Sequence, residues 1–502
     1  MDITRSHIRF GLRWSWPLLV ALGVGVLLLL NLGGQSLEDP DIVMHITTGK
    51  WMFEHMTVPL TDPFSYTRQA APWVAHEWLA QCFMALLLVA GSWTALVLVT
   101  VALFVWTLAY LMRFLLDRMP VIYALLMTAL AAAAMAPHLL SRPHVMAWPL
   151  LVVWMAELIK ANEAKRAAPW WLLAIMVLWA NLHGSFTLGL FLIAPMALEA
   201  VWQATSTQRI LVARRWVVFG VLALMASMCT PYGWRGLWLT VELTQLQHLQ
   251  RINEWMHPGG IALLPLELWL LMAVLLAMLG YLRLSVLRFV LLAFLLHQAL
   301  MVGRLISVFG MLAPMLIATA FGERYAHMTR AEKPTGLDGW FDRFKAPADM
   351  GAVWVAGVLL LLVAGLMRPT YITPAKQNLT PALRAVQAAG VQGHVLNAFN
   401  LGAPLISQGV PVFIDGRADL YGDAHLSVYF DLMESNDPAH IAQVLDQYEI
   451  AWTALLPQSH LLLFLNQSPQ WRQLYADDGV VVHVRRASKN HTDSHQQTLQ
   501  MD

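Results

Sequence analysis

The chain has 502 residues, of which 58% are hydrophobic and only 13% are charged. This composition excludes an ordinary soluble protein and is typical of a chain with many membrane spans. The net charge of +1 favours no class of partner, and the two cysteines, Cys82 and Cys229, provide neither a disulfide framework nor a cysteine-based metal site.

The N-terminal region combines positive charge with a long apolar run. Arg5, Arg9 and Arg13 precede an apolar stretch from Trp16 to Leu32, and the GGQS sequence after it lacks the small-x-small pattern of a cleavage site. We therefore predict an uncleaved signal anchor with a cytoplasmic N-terminus.

Apolar segments long enough to be membrane helices recur along the chain, so we predict a mostly α, polytopic membrane protein with about eleven spans. The predicted spans are 15–32, 93–112, 120–137, 144–160, 169–182, 186–204, 214–229, 264–282, 286–302, 305–321 and 351–367. The main groups of basic residues then fall on one side, the cytoplasmic side according to the positive-inside rule. They are Arg5, Arg9 and Arg13; Arg113 and Arg118; Lys160, Lys165 and Arg166; Arg209, Arg214 and Arg215; Arg283 and Arg288; and the basic residues of 324–345. The domain prediction is a membrane domain over 1–368, with a first outer loop over 33–92.

One further apolar segment, from His76 to Val89, tests this count. If it crossed the membrane, Arg113, Arg118 and every later basic loop would move to the outer side. We therefore predict an interfacial or re-entrant helix at the outer face. The tail after Met367 is then extracytoplasmic, which in a bacterium means periplasmic, and the protein is predicted to reside in the inner membrane.

The polar residues are distributed unevenly between the two predicted sides. Acids, histidines and tryptophans concentrate in the outer loops, whereas the few ionisable residues of the spans, such as Glu199, Glu267 and His297, lie toward helix ends. A proton or ion relay would leave acids near the middle of the membrane. This distribution argues against a transporter.

The composition after the last span changes to that of a soluble domain, and we predict a small α/β domain over 369–486 followed by a disordered polar tail over 487–502. The predicted strands are 394–398, 411–415, 451–457 and 480–485. The predicted helices are 380–390, 423–434, 438–449 and 459–467.

The first outer loop holds an acid pair, Asp39-Pro40-Asp41, whose simplest interpretation is the start of a helix. Capping alone would explain Asp39. Asp41, however, shares a helix face with His45 at the i, i+4 spacing, so both side chains are able to reach a common polar ligand. Catalysis and capping remain alternatives for Asp41 on this pattern.

Several motifs resemble the GT-C superfamily of membrane glycosyltransferases, close to its protein O-mannosyltransferase and aminoarabinose transferase branch. The residues that carry the resemblance are DPDIVMHITTGKWMFEHMTVPLTDPFSYT at 39–67, PWVAHEWL at 72–79, WANLHGSFTLG at 179–189, TPYGWRGLW at 230–238, INEW at 252–255 and VPVFIDGRADLYGD at 410–423. The similarity covers most of the chain and is strongest in the first loop and around 414–423.

The resemblance implies an inverting transfer of a sugar, a hexose or pentose, from a polyprenyl-phosphate donor at the outer face of the membrane. It also implies that an Asp of the first outer loop is the catalytic base or orients the acceptor. Asp41 is matched to that position because it stands four residues before His45, and Asp39 is the second choice. The acceptor is a glycan, a lipid or a protein.

The chemistry of such a transfer needs positive charge at the phosphate leaving group and a carboxylate at the incoming hydroxyl or amine. Arg142 and Arg304, at predicted outer helix ends, are candidates for the phosphate, although each would be equally explained by snorkelling to the interface. His45, His76 and Glu77 either complete the polar site or hold a divalent cation, and metal binding is the weaker interpretation because their spacing is loose. His183 is either a substrate contact or a hydrogen-bonded histidine at a helix end.

Two further sets of residues have competing interpretations. Trp51, Trp73 and Trp78 suit stacking on a sugar or anchoring at the membrane interface. The loop 415–419 suits acceptor binding at a sheet edge, or an Asp–Arg pair that locks the tail domain to the membrane part, which we favour. Nucleic-acid binding has no support, because there is no basic patch outside the predicted cytoplasmic loops. The sequence therefore predicts a lipid-linked sugar transferase, with a non-enzymatic flippase or transporter, or a sugar-binding scaffold, as alternatives.

Overall fold

The computed structural model describes residues 12–251, 255–329, 336–368 and 378–486. Helices dominate it. In the described part of the membrane region they are α1 Trp16–Asn31, α2 Asp41–His55, α3 Trp78–Leu116, α4 Val121–Met135, α5 Pro143–Glu163, α6 Leu172–Leu182, α7 Phe186–Gln203, α8 Arg209–Ser227, α9 Trp234–Gln245, α10 Leu264–Met278, α11 Val286–Met301, α12 Ile306–Thr329, α13 Gly336–Asp342 and α14 Met350–Met367.

The apolar helices confirm the predicted polytopic helical fold. Among the described residues, eight helices are long and apolar enough to cross a membrane, and α1, α6 and α11 are shorter apolar helices. Together these eleven helices coincide with the eleven predicted spans. The shortest, α6, has 11 residues and is therefore about 16 Å long, roughly half the thickness of a hydrocarbon core.

The helix α3 is interrupted where the sequence predicted two separate segments. Ser92 has a φ of 59°, outside the helical range, and Gly91 next to it is also non-helical. Residues 78–90 therefore form a helical segment distinct from the long apolar helix that begins at Trp93. The interfacial placement of residues 78–90 stays a prediction.

Local sequence explains where several membrane helices begin and how closely they pack. Ser15 caps α1 by accepting a hydrogen bond from the Leu18 amide at 3.4 Å, and the Asp349 carboxylate caps α14 through the Ala352 amide at 2.8 Å. In α12, a Cβ added to Gly310 would lie 2.5 Å from Ala134 of α4. Small residues thus allow these two helices to approach closely, as is common in membranes.

A buried ion pair joins two of the apolar helices. Arg288 in α11 donates to the Glu199 carboxylate in α7 at 2.9 Å, and the two side chains are only 8% and 3% exposed. Ser285 and the Leu316 carbonyl provide further hydrogen bonds. Both charges are therefore neutralised within the helical region.

The described part of the C-terminal region has the helices α15 Thr380–Ala388, α16 Gly402–Ile406, α17 Ala418–Glu434, α18 Pro438–Gln447 and α19 Leu461–Gln467. Its four strands are β1 His394–Asn397, β2 Ile450–Leu455, β3 Trp471–Ala476 and β4 Val481–Arg485, in the order β1-β2-β4-β3. The strand β1 is parallel to β2, and the other two pairs are antiparallel. This sheet confirms the predicted small α/β region.

Two details of the sheet differ from the prediction. Within described residues 378–486, the predicted strand 411–415 does not form, because the backbone of Val412 bonds to Phe64 and Tyr66 of the first loop and the Asn397 side chain bonds to Phe413 and Ile414. The sequence also missed β3. As an edge strand with mostly polar, partly exposed residues, β3 lacks a clear hydrophobic alternation.

The chain divides into two compact units. The first comprises Met1–Asp39, Thr48–Val58 and Ala75–Ile372, and the second comprises Pro40–Thr47, Pro59–Val74 and Thr373–Asp502. Two pieces of the first loop therefore belong to the same unit as the C-terminal sheet. The predicted disordered tail, 487–502, and residues 252–254 of the INEW motif lie outside the described residues.

Candidate functional site

The predicted site residues divide between the two units. Asp41 and His45 belong to the second unit. The first unit contains Asp39, His76, Glu77, Arg142, His183 and Arg304. The six residues of the first unit come from five separate stretches of the chain. Five of their side chains form two groups, and Arg304 acts on the second group through its charge.

The first group is an ion pair between Arg142 and Asp39. The Arg142 guanidinium donates to the Asp39 carboxylate at 3.0 Å, and the side chains are 16% and 10% exposed. A buried hydrogen-bond network holds the two loops together, since Ser141 bonds to the Ser36 carbonyl at 2.8 Å and accepts from Thr100 at 3.0 Å. The sequence interpretation of Asp39 as a helix cap did not anticipate this ion pair.

The second group places Glu77 between two histidines. The Glu77 carboxylate lies 3.5 Å from Nε2 of His183 and 3.9 Å from Nε2 of His76. Gly184 lies against the His76 ring, because a Cβ at that position would be in van der Waals contact with it at 3.5 Å. The HEW and NLHG motifs, more than one hundred residues apart, thus supply one acid and two imidazoles to the same place.

The hydrogen bonds of His183 define its tautomer. Its Nδ1 accepts from the Ser185 backbone amide at 3.1 Å and lies 2.8 Å from the Ser185 hydroxyl, which itself accepts from Trp179 at 3.0 Å. The ring proton is therefore on Nε2, the nitrogen that faces Glu77.

Electrostatics connect His183 to both arginines. Burial holds the pKa of His183 well below its usual value, and His144, Arg304, His76 and Arg142 lower it further. The side chain is therefore a neutral donor at neutral pH. Since both guanidinium groups act on this pKa, Arg142 and Arg304 lie within electrostatic range of His183.

Arg304 also has a specific aromatic contact. It lies in the short turn before α12, and its guanidinium carbon is 3.5 Å from the centre of the Trp255 ring. This cation–π contact orients the side chain. Sequence reasoning quoted Trp255 within the INEW motif but assigned it no role.

A cavity of about 580 Å³ lies beside these groups in the first unit. Its walls are mainly apolar. Of the residues that line it, Trp78 directly follows Glu77 in the sequence, and Asn181 stands two residues before His183. The Trp78 indole donates to the Asn181 side chain at 2.7 Å. This bond fixes the position of one wall of the cavity relative to Glu77 and His183.

In the second unit, Asp41 contacts the loop that follows residues 411–415. Asp41 is the first residue of α2, and its carboxylate occupies the space that a Cβ on Gly416 would fill. Any side chain at position 416 would therefore displace the carboxylate. The geometry explains a glycine in the DGRAD sequence and links it to the first-loop acid, whereas His45 is buried one turn further along α2.

A buried network in the second unit was missed by the sequence analysis. Asp62 accepts from the Phe64 and Ser65 amides at 3.0 Å and from Arg417 at 2.7 Å. Arg417 also pairs with Asp415 at 2.6 Å, and Trp73 lies under its guanidinium at 4.5 Å. The TDPFS sequence, with an acid that bonds to amides two and three residues on, was the available signal.

The charges of this network are mutually stabilised. Burial alone would raise the pKa of Asp415, but the charge and hydrogen bonds of Arg417 hold it below its usual value. Burial would likewise lower the pKa of Arg417, and Asp415 outweighs that effect and raises it. Both groups therefore remain ionised. The expected Asp–Arg pair is present, and it joins residues 59–74 of the first loop to the C-terminal sheet region.

Within the described residues, no group of three or more His, Cys, Asp or Glu side chains is placed to hold a metal ion. The His76–Glu77 pair and His183 form an imidazole–carboxylate cluster instead. Hydrogen bonding and ion pairing account for the contacts of that cluster.

Comparisons with known proteins show a structural likeness and no match by sequence family. No family model matches the chain, and no match is found among curated proteins. Among solved structures, the chain is similar to the crystal structure of the Archaeoglobus fulgidus oligosaccharyltransferase in the apo form. The identity is 10%, the match covers 88% of this chain and 69% of that chain, and the TM-score is 0.48. The function below is therefore argued from the residues of this chain.

Proposed function

We propose that the protein is a membrane glycosyltransferase that moves a sugar from a polyprenyl-phosphate donor to an acceptor at the outer face of the membrane. The observation that carries the proposal is the grouping of Arg142, Arg304, Glu77 and His183 beside an apolar cavity. Such a site combines positive charge for a phosphate with space for a lipid chain.

The two arginines suit the leaving group. In an inverting transfer, the acceptor oxygen or nitrogen attacks the anomeric carbon of the sugar, and the bond from that carbon to the phosphate oxygen breaks. Negative charge then develops on the departing polyprenyl phosphate. Guanidinium groups positioned in advance stabilise that charge, with Arg142 held by Asp39 and Arg304 held by Trp255.

The carboxylate that receives the acceptor proton is assigned to Asp41. Its position in the first turn of α2 favours the ionised form, and Gly416 leaves room for it. Asp39 has a different role in this proposal, because its ion pair makes it a positioning residue for Arg142. Glu77 and the neutral His183 contact the hydroxyl groups of the sugar.

The apolar cavity is assigned to the first isoprene units of the donor. Leu79, Val177 and Leu178 provide apolar contact, and Trp78 and Asn181 mark the end nearest the polar groups. A volume of about 580 Å³ lies within the range of small-molecule sites. The remaining isoprene units of the donor would stay in the bilayer.

Lipid and glycan analysis of a strain that lacks the protein tests the proposal. We expect a polyprenyl-phosphate sugar to accumulate and the corresponding glycosylated product to disappear. Complementation with the wild type should reverse both changes, and Asp41→Asn should reverse neither. Asp117→Asn, a matched change at a half-exposed acid that pairs with Arg113, should complement fully.

The alternative of a flippase predicts a different outcome. Loss of a flippase would leave the lipid-linked sugar on the inner leaflet, and the glycosidic product would still form from donor supplied at the outer face. The ion pair of Arg288 and Glu199 would then matter more than Asp41. If the strain that lacks the protein formed normal amounts of the glycosidic product from donor supplied at the outer face, the transferase proposal would be overturned.

A further inference from the structure

A second cavity, of about 200 Å³, lies in the C-terminal sheet region. Its walls are formed by residues 398–400, which directly follow β1, by residues 456–460, which directly follow β2, and by Tyr429 and Met433 of α17. The strands β1 and β2 are parallel, so their carboxyl ends meet at the same edge. That edge is where α/β domains bind small ligands.

The lining of this cavity is aromatic and polar without formal charge. Phe399 is half-buried and Tyr429 is buried, while Asn400 and Gln458 present exposed amides. The described residues that line it include no Asp, Glu, Lys or Arg, and one histidine, His460, lies among them. An ammonium group would find no carboxylate and a phosphate would find no Lys or Arg, whereas a neutral ligand with several hydroxyl groups would find both amide donors and acceptors.

Two hydroxyl groups belong to residues that line the cavity. The Ser459 Oγ is inaccessible to solvent and has no hydrogen-bond partner in the part of the chain that the structure describes, so it does not face the open space of the cavity. The Tyr429 hydroxyl accepts from the Phe399 amide at 2.8 Å, and burial raises the pKa of Tyr429, so the hydroxyl keeps its proton as a donor. A buried polar atom of this kind is normally satisfied, by protein, water or ligand.

We propose that this cavity binds one sugar residue of a glycan, with a ring face on Phe399 and hydroxyl groups on the exposed amides of Asn400 and Gln458. The volume of about 200 Å³ corresponds to about six or seven water molecules, which suits a single sugar ring. The site deepens the proposed function by making the acceptor a glycan, and in that respect it rests on the proposed function. The binding itself does not depend on catalysis.

The test uses the full-length protein in detergent and simple glycosides as probes. Saturation-transfer NMR and titration with methyl β-glucoside, methyl α-mannoside and methyl β-N-acetylglucosaminide should show binding of at least one glycoside in the millimolar range. Gln458→Ala and Asn400→Ala should each weaken it about tenfold, in line with the loss of one hydrogen bond. Phe399→Leu should weaken it further.

Gln387→Ala is the matched control, since Gln387 is exposed in α15 and is not part of the cavity. It should leave binding unchanged, as should Asp41→Asn. Absence of glycoside binding, preference for a tripeptide probe, or equal binding by wild type, Gln458→Ala and Asn400→Ala would overturn the site. If Asp41→Asn retained sugar transfer while Gln458→Ala lost glycoside binding, the catalytic proposal would fail and this site would stand.

Discussion

The guanidinium of Arg417 lies 2.7 Å from the carboxylate of Asp62, a residue 355 positions earlier in the chain. Both side chains are buried, at 7% and 0% exposed. The Asp62 carboxylate also accepts two backbone amides of the turn that follows it. Residues 59–74 are therefore part of the fold of the C-terminal region, although the chain reaches them before most of the membrane helices.

Removing either partner of this pair should strongly destabilise the second unit. Arg417→Met leaves the Asp62 and Asp415 carboxylates buried without their cation, a loss of about 3–5 kcal/mol. The measurement is denaturant-dependent proteolysis of residues 378–486 in the full-length protein. Arg384→Met is the control, because Arg384 is exposed in α15. Equal resistance of the Arg417 and Arg384 variants would show that the network contributes little.

Stability of the second unit should fall as the pH is lowered from about 6.5 to about 4. Burial, followed by the charge of Arg68, lowers the pKa of His425 to about 4, although its bond to the Phe413 carbonyl and the nearby Asp415 act in the opposite direction. Since the unfolded state binds a proton near pH 6.5 and the folded state does not, stability is lost as the pH falls through that window, by as much as about 3 kcal/mol.

The His425→Phe variant provides the control for this pH dependence. It removes the titrating group while keeping a ring of similar shape, so its stability should fall less steeply than that of the wild type between pH 6.5 and 5. Some dependence remains, because burial also lowers the pKa of His483 in the same unit. Unfolding midpoints of both proteins at several pH values give the comparison. A wild-type stability that does not change over this window would contradict the assignment.

The helical part of the fold could be predicted from sequence because span signals are local. Hydrophobic runs and the break at Gly91 and Ser92 are visible within about twenty residues. The segment 411–415 was mispredicted for the opposite reason, since its apolar pattern is that of a strand but its hydrogen-bond partners, Phe64 and Tyr66, are far away in the chain. A local pattern of apolar residues indicates which residues are buried, but it does not indicate which distant segment they bond to.

The sequence suggested individual residues of the candidate site but not their pairings, because residue type is local information and pairings are not. Residue type identified Arg142, Glu77 and His183 as suited to the chemistry, but nothing local placed Asp39 on Arg142 or Asp41 on Gly416. The role of Asp62 was overlooked because a TDPF sequence is a common turn. Pairings between distant loops require the tertiary structure.

Gly416→Ala should reduce transfer at least tenfold without loss of the protein from the membrane. The added methyl group would occupy the position of the Asp41 carboxylate and displace it. Product formation in the complemented deletion strain measures the effect. Gly357→Ala is the matched control, because a Cβ there has open space. Full activity of Gly416→Ala would separate Asp41 from the reaction.

Asp39→Asn and Arg142→Gln should impair the same function, the stabilisation of the phosphate leaving group by Arg142. Each is expected to lower transfer about tenfold, because Asp39 acts through Arg142. The double variant should transfer sugar no more slowly than the less active of the two single variants, as is expected of residues that work as a pair. Glu163→Gln, in the comparable Arg118–Glu163 ion pair, should have little effect. Multiplicative losses in the double variant would argue that Asp39 has its own contact with substrate.

The most direct test of the central claim is the reaction of the purified full-length protein with the polyprenyl-phosphate sugar that accumulates in the deletion strain. Mass spectrometry of the lipid fraction, in the presence of cell-envelope acceptor, reports the conversion. We predict that the wild type releases free polyprenyl phosphate from the sugar-linked donor when the acceptor is present, and that Asp41→Asn releases none. Equal release by both proteins would remove Asp41 from the mechanism, and no release by the wild type would contradict the glycosyltransferase assignment.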